Sequence, residues 1–340
     1  MSARGGTVRF PALAGGVLVG SLAVGCSKQR EQPPPPVASV ATFPSAATSA
    51  PLPPPSATPV TLPAPVASGL PDAKGVSNAV NPNAEAAYSG PTGTVRGRVT
   101  IKGDPPLPEP KMLAKIPATC GAAARDAYGK LYREGPDRSL ADVLVAVTGY
   151  KGYVPERESA RRIVAKDCFY GTRTIALTYG QSIEVASGDK QPYIPELLGE
   201  KGQPQTVATP GGMAATVYPT RPGRYVLIDN LKLFMQAEVL VLNYATHAVT
   251  GLDGRFEITG VPVGEVNVNA LLPAAGISTG RRAKVEADKP TEELVFELTF
   301  DKAAYEKAIV QPDAGAPTAS APTAAGSAPK APVPAPKSSR

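Results

Sequence analysis

The sequence predicts an all-β protein built from two antiparallel β-sandwiches, flanked by unstructured Pro/Ala-rich segments. Between residues 91 and 300, short alternating or continuously apolar runs recur, separated by Gly, Pro and Asp. Such runs are typical of strands joined by tight turns. More than half of the 39 Pro lie in the two ends, so much of the chain is expected to lie outside a folded core. Aromatic residues make up only 6%, so we expect Val, Leu, Ile and Ala to fill that core.

Eight segments have the pattern of strands, and helix is predicted to be minor. The predicted strands are residues 94–101, 141–147, 182–186, 224–228, 238–242, 255–258, 265–270 and 293–298. Short helices are expected near residues 122–128 and at residues 301–310, where Asp301 is the predicted N-cap.

The first 25 residues are predicted to be a secretory signal. Arg4 and Arg9 precede a largely apolar run over residues 10–24. This run of roughly 15 residues is shorter than the about 20 that a membrane-spanning helix needs. Residues 22–26, Leu-Ala-Val-Gly-Cys, resemble the lipobox of bacterial lipoproteins, although the family prefers Leu where this chain has Ala23. The resemblance implies that Cys26 becomes the mature N-terminus and carries acyl chains of the palmitate type.

Lipid on Cys26 implies a membrane as partner and the cell envelope as location. Ser27 follows the cysteine, whereas an aspartate there signals inner-membrane retention in some bacteria, so the outer membrane is favoured. The alternative is an ordinary signal peptide followed by a chance cysteine. That alternative leaves a free thiol in an oxidising compartment, which is disfavoured.

Residues 26–91 are predicted to be an unstructured tether. Proline runs at 33–36 and 53–55 stand among many Ala, Ser and Thr, with no apolar periodicity. Such a segment buries too little apolar surface to offset its ordering entropy. Residues 301–340 are predicted to be the short helix and a tail of similar composition. The net charge of +6 is spread thinly and falls partly in the signal, so no nucleic-acid partner is predicted.

Two cysteines remain once Cys26 carries lipid. An even number in an exported chain favours a disulfide between Cys120 and Cys168. The two are not spaced as C-x-x-C, so we expect a structural bridge rather than a redox-active pair.

The two ends of the folded region resemble one known module. Residues 93–99, Gly-Thr-Val-Arg-Gly-Arg-Val, and residues 248–264, which include Asp-Gly-Arg-Phe and Val-Pro-Val-Gly, are similar to the carboxypeptidase regulatory-like (transthyretin-like) module. Those later pieces are hairpin turns in that family, and Asp253-Gly254 suits a tight turn. The resemblance implies one β-sandwich from residues 92–157 and 244–300, with a second domain inserted between them.

The inserted residues 158–243 resemble a cupredoxin, the plastocyanin-type sandwich. Residues 222–237 are similar to the copper loop, in which a strand ends in Cys and is followed by His and Met. Aligned on Met235, the Cys position holds Asp229 and the His position holds Lys232. A blue-copper site needs two histidines and a thiolate. No metal ion and no other cofactor is therefore predicted.

No enzyme activity and no catalytic residue is predicted. The chain has a single histidine, His247, so a zinc-peptidase site with two histidines is excluded. A serine triad would have to recruit His247, and no G-x-S-x-G motif accompanies it. A Gly-rich phosphate loop is also missing from the sequence. We expect His247 to be a partly exposed strand residue.

These patterns predict a non-catalytic envelope lipoprotein whose β-sandwiches bind a protein or glycan. The alternative is a copper-handling or electron-transfer cupredoxin with the substituted ligands Asp229, His247 and Met235, which requires His247 to lie beside Asp229. Under the first hypothesis, the loops at 189–195 and 204–212 are candidate recognition loops with Tyr193 as aromatic anchor. The competing interpretation of these loops is that they are plain surface loops.

Overall fold

The computed structural model describes residues 70–201 and 203–310. The predicted signal, Cys26 and residues 311–340 lie outside this part of the chain. The helices are α1 (Ala73–Val80), α2 (Pro110–Leu113), α3 (Ala122–Tyr128) and α4 (Lys302–Val310), with a 3-10 turn at Pro136–Arg138. The strands are β1 (Thr92–Gly103), β2 (Leu144–Thr148), β3 (Ala160–Ala165), β4 (Thr174–Thr178), β5 (Ser182–Ser187), β6 (Pro195–Leu197), β7 (Ala215–Val217), β8 (Gly223–Asp229), β9 (Lys232–Leu242), β10 (His247–Val249), β11 (Arg255–Pro262), β12 (Gly264–Leu272), β13 (Ile277–Val285) and β14 (Leu294–Phe300). Within the described ranges, every helix is too short or too polar to cross a membrane.

The first sandwich packs a three-stranded sheet, in the order β11-β1-β14, against a four-stranded sheet, in the order β10-β2-β12-β13. Side chains from both sheets share one core, in which Val99 of β1 and Val268 of β12 are fully buried. Burial alternates along β14, so that Phe296 and Leu298 face inwards and the residues between them face solvent. The strands of this sandwich come from two separate parts of the chain, before β3 and after β9.

The second sandwich is formed by the strands in between. Its sheets have the orders β3-β5-β7 and β4-β9-β8-β6. Ile183 of β5 and Leu227 of β8 are fully buried between them in a separate core. Helix α3 also packs into this core through Ala124 and Tyr128, although it precedes β2 in the chain and falls within residues 92–157. The first sandwich therefore does not hold all of the segment that was assigned to it from the sequence.

The all-β prediction is confirmed, and the sheets are mixed rather than wholly antiparallel. The pairs β1–β14, β3–β5 and β4–β9 are parallel. Parallel neighbours need a crossover connection, and β3 reaches β5 by way of β4 in the opposite sheet. The remaining strand pairs in the described ranges are antiparallel.

Each of the eight predicted strand segments overlaps a strand of the structure, and α3 and α4 are helices as predicted. Asp301 caps α4, because its Oδ1 accepts the amide of Ala304 at 2.9 Å. Strands β3, β4 and β13, among others, were not predicted. Strands β3 and β13 each carry two adjacent arginines, and β4 is buried at every position, so none of them shows clear alternation.

Helix α1 corrects the predicted tether, 26–91. Asp72 caps this helix by accepting the amide of Gly75 at 2.8 Å, and Val76 and Val80 pack against the core of the second sandwich. The amide of Tyr88 then donates to the carbonyl of Tyr153 at 2.7 Å. A helix of 8 residues is marginal by itself, so these tertiary contacts stabilise it. Residues 72–88, which the predicted tether includes, thus make defined contacts with the second sandwich and with Tyr153.

Aromatic side chains contribute more to the cores than the composition indicated. Tyr132, Tyr170 and Phe300 are among the largest fully buried side chains. In the second core the ring of Tyr128 meets that of Phe169 edge to face, with centroids 5.8 Å apart. The few aromatic residues are therefore concentrated inside the molecule.

A buried ion pair lies where the two sandwiches meet. Arg133 donates through Nε and Nη2 to the two carboxylate oxygens of Asp142, both at 2.7 Å. The same carboxylate accepts the hydroxyl of Thr172 at 2.9 Å and the amide of Arg173 at 2.8 Å. Asp142 lies just before β2 of the first sandwich, and Thr172 and Arg173 lie just before β4 of the second. This network therefore joins one sandwich to the other.

Candidate functional site

Four segments converge at one end of the second sandwich: residues 166–169, 188–194, 207–213 and 229–233. We call this region the loop end. Tyr193 pairs with Ala208, and the amide of Asn230 donates to the carbonyl of Ile194 at 2.9 Å. The amide of Asp167 donates to Asp189 at 2.7 Å. The loop end includes residues 229–233, the middle of the segment that resembles a copper loop.

Asp229 ends β8 and is fully buried at the loop end. Its Oδ1 accepts the amide of Leu231 at 3.0 Å, which closes the tight turn into β9. Its Oδ2 accepts the amide of Ile194 at 2.7 Å, which fixes the neighbouring loop to the hairpin. The carboxylate therefore connects two of the four segments through backbone hydrogen bonds.

Lys232 and Tyr193 reinforce the connection between the same two segments, 229–233 and 188–194. Lys232 Nζ lies 4.3 Å from the centroid of the Tyr193 ring and donates to the carbonyl of Pro192 at 3.0 Å. The Tyr193 hydroxyl donates to Asp189 Oδ2 at 2.7 Å. Burial and this hydrogen bond raise the pKa of Tyr193. Burial alone would raise the pKa of Asp189, but hydrogen bonds from Tyr193 and from two backbone amides outweigh it and lower that pKa.

The predicted disulfide between Cys120 and Cys168 is confirmed. The sulfur atoms are 2.09 Å apart and the Cα atoms 5.5 Å apart. Both residues are buried, and the amide of Cys168 lies 3.4 Å from the Tyr193 hydroxyl. The bridge therefore ties the chain just before α3 to the loop end.

The structure does not support Tyr193 as the aromatic anchor of a recognition loop. Its side chain is fully buried, because Lys232 covers the ring and Asp189 holds the hydroxyl. Asp229 and Lys232, which stand at the Cys and His positions of the copper-loop resemblance, bind backbone groups and an aromatic ring. The local sequence, with prolines at 192 and 195, is typical of a loop on the surface. The burial of Tyr193 depends on Lys232, which is distant in the sequence.

The substituted copper ligands do not come together. Met235 is fully buried in the core of the second sandwich. Asp229 is the strand-pairing partner of Lys232, the first residue of β9. His247 instead contacts Thr178, whose strand-pairing partner is Leu242, the last residue of β9. At about 3.3 Å per residue along a strand, these ends are roughly 30 Å apart. These residues do not fit a copper ion, and no group of three His, Cys, Asp or Glu in the described ranges is placed to hold a metal.

His247 is half-buried on β10, next to the second sandwich. Its Nε2 lies 3.3 Å from the hydroxyl of Thr178, and that hydroxyl donates to Glu156 at 2.7 Å. Burial lowers the pKa of His247 to about 4, so the ring is neutral at pH 7. The carboxylate binds the hydroxyl rather than the imidazole, so this arrangement differs from a triad in which the acid orients the histidine.

Exposed apolar side chains distinguish the loop end from the rest of the surface. The exposed fractions are 43% for Val207, 83% for Met213, 55% for Leu231 and 64% for Leu233. These are four of the ten large apolar residues exposed in the described ranges. A concentration of such side chains is typical of an interaction surface. These exposed side chains were not predicted, although the Leu-Lys-Leu pattern of residues 231–233 was a usable signal.

Comparisons with known proteins give only weak likenesses. No protein-family model and no curated protein matches the chain. Amicyanin from Paracoccus versutus is 15% identical over 25% of this chain and 84% of its own, with a TM-score of 0.22. A reduced amicyanin variant is 19% identical over 23% of this chain and 80% of its own, with a TM-score of 0.21. Likenesses of this size carry no conclusion about family or function, and the β-sandwich fold is taken from the sheets themselves.

Proposed function

We propose that this chain is a non-catalytic lipoprotein of the cell envelope that binds a partner protein or glycan through its β-sandwiches. The observation that carries the proposal is the loop end. Leu231 and Leu233 are exposed on the β8–β9 hairpin, where the Asp229 carboxylate is held by two backbone amides, and Val207 and Met213 are exposed on another segment of the loop end. Apolar side chains on such a surface gain free energy when a partner covers them.

The network beneath this surface supports recognition by a preformed site. Asp229 and the Tyr193–Asp189 pair hold the loops through short hydrogen bonds, and the Cys120–Cys168 bridge lies against them. Loops that are already ordered lose less conformational entropy when they bind. The loop end therefore suits a specific partner better than a mobile surface would.

Export and lipid anchoring rest on the N-terminal sequence. The proposed anchor is Cys26, attached to the sandwiches through the predicted tether, with the outer membrane favoured by Ser27. The structural disulfide is in keeping with an oxidising compartment, because such bridges are rare in the cytosol. Two or more acyl chains give firm attachment, whereas one gives only marginal binding.

The module identities are part of this proposal. The first sandwich is proposed to be a carboxypeptidase regulatory-like module, and Gly254, with φ +70°, has the backbone that its Asp-Gly turn requires. The second is proposed to be a cupredoxin-like sandwich without its metal. In the place of copper, Asp229 and Lys232 bind loops through backbone groups and an aromatic ring.

A site-specific photocrosslinker tests the proposed binding surface in the native envelope. We place the crosslinking residue at position 231, and at position 295 as control, because Val295 is equally exposed on the first sandwich, at 57%. We expect one discrete adduct from position 231 that disappears when Leu233→Asp is added, and no such adduct from position 295. The same adducts from both positions, or an adduct that survives Leu233→Asp, would contradict binding at the loop end.

A further inference from the structure

A cavity of about 220 Å³ lies at the end of the second sandwich opposite the loop end. It sits where β4 and β9 finish, beneath helix α1. Its lining combines apolar, aromatic, polar and acidic side chains, among them Val76, Val80, Tyr153, Tyr179, Glu156 and Glu158. None of the described residues that line it is a lysine or arginine.

The positions of the polar wall groups are fixed. Glu156 Oε2 accepts the Thr178 hydroxyl at 2.7 Å, and its Oε1 accepts the amides of Arg157 and Glu158 at 2.8 and 3.2 Å. The Tyr179 hydroxyl donates to the carbonyl of Thr220 at 2.6 Å, which holds this ring at the cavity. A negative charge and an aromatic side chain are thus placed before any ligand arrives.

Glu158 supplies a second carboxylate with no assigned task. Its backbone carbonyl accepts the side-chain amide of Gln181 at 2.9 Å. Glu158 is exposed to solvent at the rim of the cavity, and its carboxylate has no hydrogen-bond or ion-pair partner in the part of the chain that the structure describes. The nearby His247 does not offset these charges at pH 7, because burial keeps it neutral, and Arg157 and Arg161 are exposed to solvent outside the lining.

We propose that this cavity binds a primary aliphatic ammonium group on a stem about as long as a lysine side chain. Carboxylates hold an ammonium through charge-assisted hydrogen bonds, and aromatic faces attract it. Val76 and Val80 provide the apolar wall that an aliphatic stem needs. The volume is below the about 300 Å³ of a drug-sized pocket, which favours a single slender chain. A free diamine and a lysine side chain of a polypeptide share this chemistry. Binding of either one at the cavity is independent of the binding proposed for the loop end.

Calorimetric titration of the detergent-solubilised full chain with 1,5-diaminopentane tests the proposal, with 1,5-pentanediol as the neutral analogue. We expect the diamine to saturate one site and the diol to show no saturable binding. Glu158→Gln should weaken diamine binding about fivefold, since it removes one partly solvated charge partner. The matched control Glu257→Gln changes an exposed carboxylate on β11 of the other sandwich and should leave the affinity unchanged.

Equal binding of diol and diamine, equal affinity of Glu158→Gln and the unaltered chain, or the lack of any saturable site would each overturn the proposal. Nα-acetyl-lysine methylamide distinguishes the two sources. Binding of this probe at least as tight as that of the diamine assigns the site to a lysine side chain of a polypeptide. Binding of the diamine alone assigns it to a free amine.

Discussion

His247 shows how a single residue couples the junction of the sandwiches to pH. Its ring is half-buried beside Thr178, and burial lowers its pKa to about 4. The unfolded chain has the ordinary histidine pKa of about 6.5, so it binds a proton more readily than the folded chain does. The stability linked to His247 is therefore fully present above pH 6.5 and decreases as the pH falls from there towards 4.

We expect His247→Gln to flatten this pH dependence. The unaltered protein should lose about 2 kcal/mol of unfolding free energy between pH 7 and pH 5 through this residue. Gln keeps a hydrogen-bonding group near Thr178 but does not titrate, and the chain contains no other histidine. Urea unfolding at the two pH values measures the difference. Equal losses in both proteins would show that the ring is not held neutral by burial.

Residue types were easier to predict than residue environments. The disulfide was expected from the cysteine count and the proposed export, and the sequence already showed Asp and Lys where a copper loop has Cys and His, at Asp229 and Lys232. The burial of Tyr193 was not visible, because it depends on Lys232 and on a disulfide partner far away in sequence. Local composition gives no information about such contacts.

Two hairpin regions use the same turn chemistry in different surroundings. Asp229 Oδ1 accepts the amide of Leu231, and Asp253 Oδ1 accepts the amide of Arg255, both at 3.0 Å. Asp229 is fully buried and also accepts the amide of Ile194, whereas Asp253 is exposed. The loss of a buried acceptor leaves amides unsatisfied, while an exposed turn can bond water instead.

This difference makes Asp253→Ala a matched control for Asp229→Ala. We expect Asp229→Ala to lower the unfolding free energy by about 3 kcal/mol and Asp253→Ala by less than about 1 kcal/mol. Urea denaturation followed by far-ultraviolet circular dichroism measures both values. Similar losses of unfolding free energy in the two variants would show that the buried Asp229 carboxylate does not stabilise the loop end.

At the scale of elements, alternation of apolar and polar residues predicted the strands that have one buried face. It failed for strands that are buried on both faces or exposed at a sheet edge. Strand β14, with inward Phe296 and Leu298, alternates and was predicted. Strand β4 is buried throughout and lacks a polar face, and β13 is an edge strand with Arg281 and Arg282. Charged edge strands discourage pairing with other chains. Helix α1 was missed because its stability comes from packing on a distant core rather than from its own sequence.

The whole molecule depends on the junction between the two sandwiches. Arg133 and Asp142 are buried there, and Leu144 packs beside them against Ala176 and Leu242. Asp142 has φ +63°, a conformation that Asp and Asn tolerate better than most residues. The insertion of one sandwich into the other was expected from a resemblance. The buried Arg133–Asp142 pair at the junction was not expected. Its further partners, Thr172 and Arg173, lie about 30 residues after Asp142, and no local sequence pattern marks such a contact.

We expect Asp142→Asn to destabilise the protein by about 3–5 kcal/mol, because it leaves the Arg133 charge buried without a partner. The double variant Arg133→Met with Asp142→Asn should cost less than the single one, because the buried charge is then gone. Differential scanning calorimetry of the three proteins gives the comparison. A double variant that is less stable than Asp142→Asn would contradict the role of the uncompensated charge.

The central claim is that this chain is an exported, lipid-anchored protein. The most direct test is the intact mass of the protein extracted from membranes, recorded with and without reductant. We expect a mass that begins at Cys26 and includes acyl chains, with the small gain of one reduced disulfide after treatment. A chain that still begins at Met1, or a mature Cys26 without lipid, would contradict the claim.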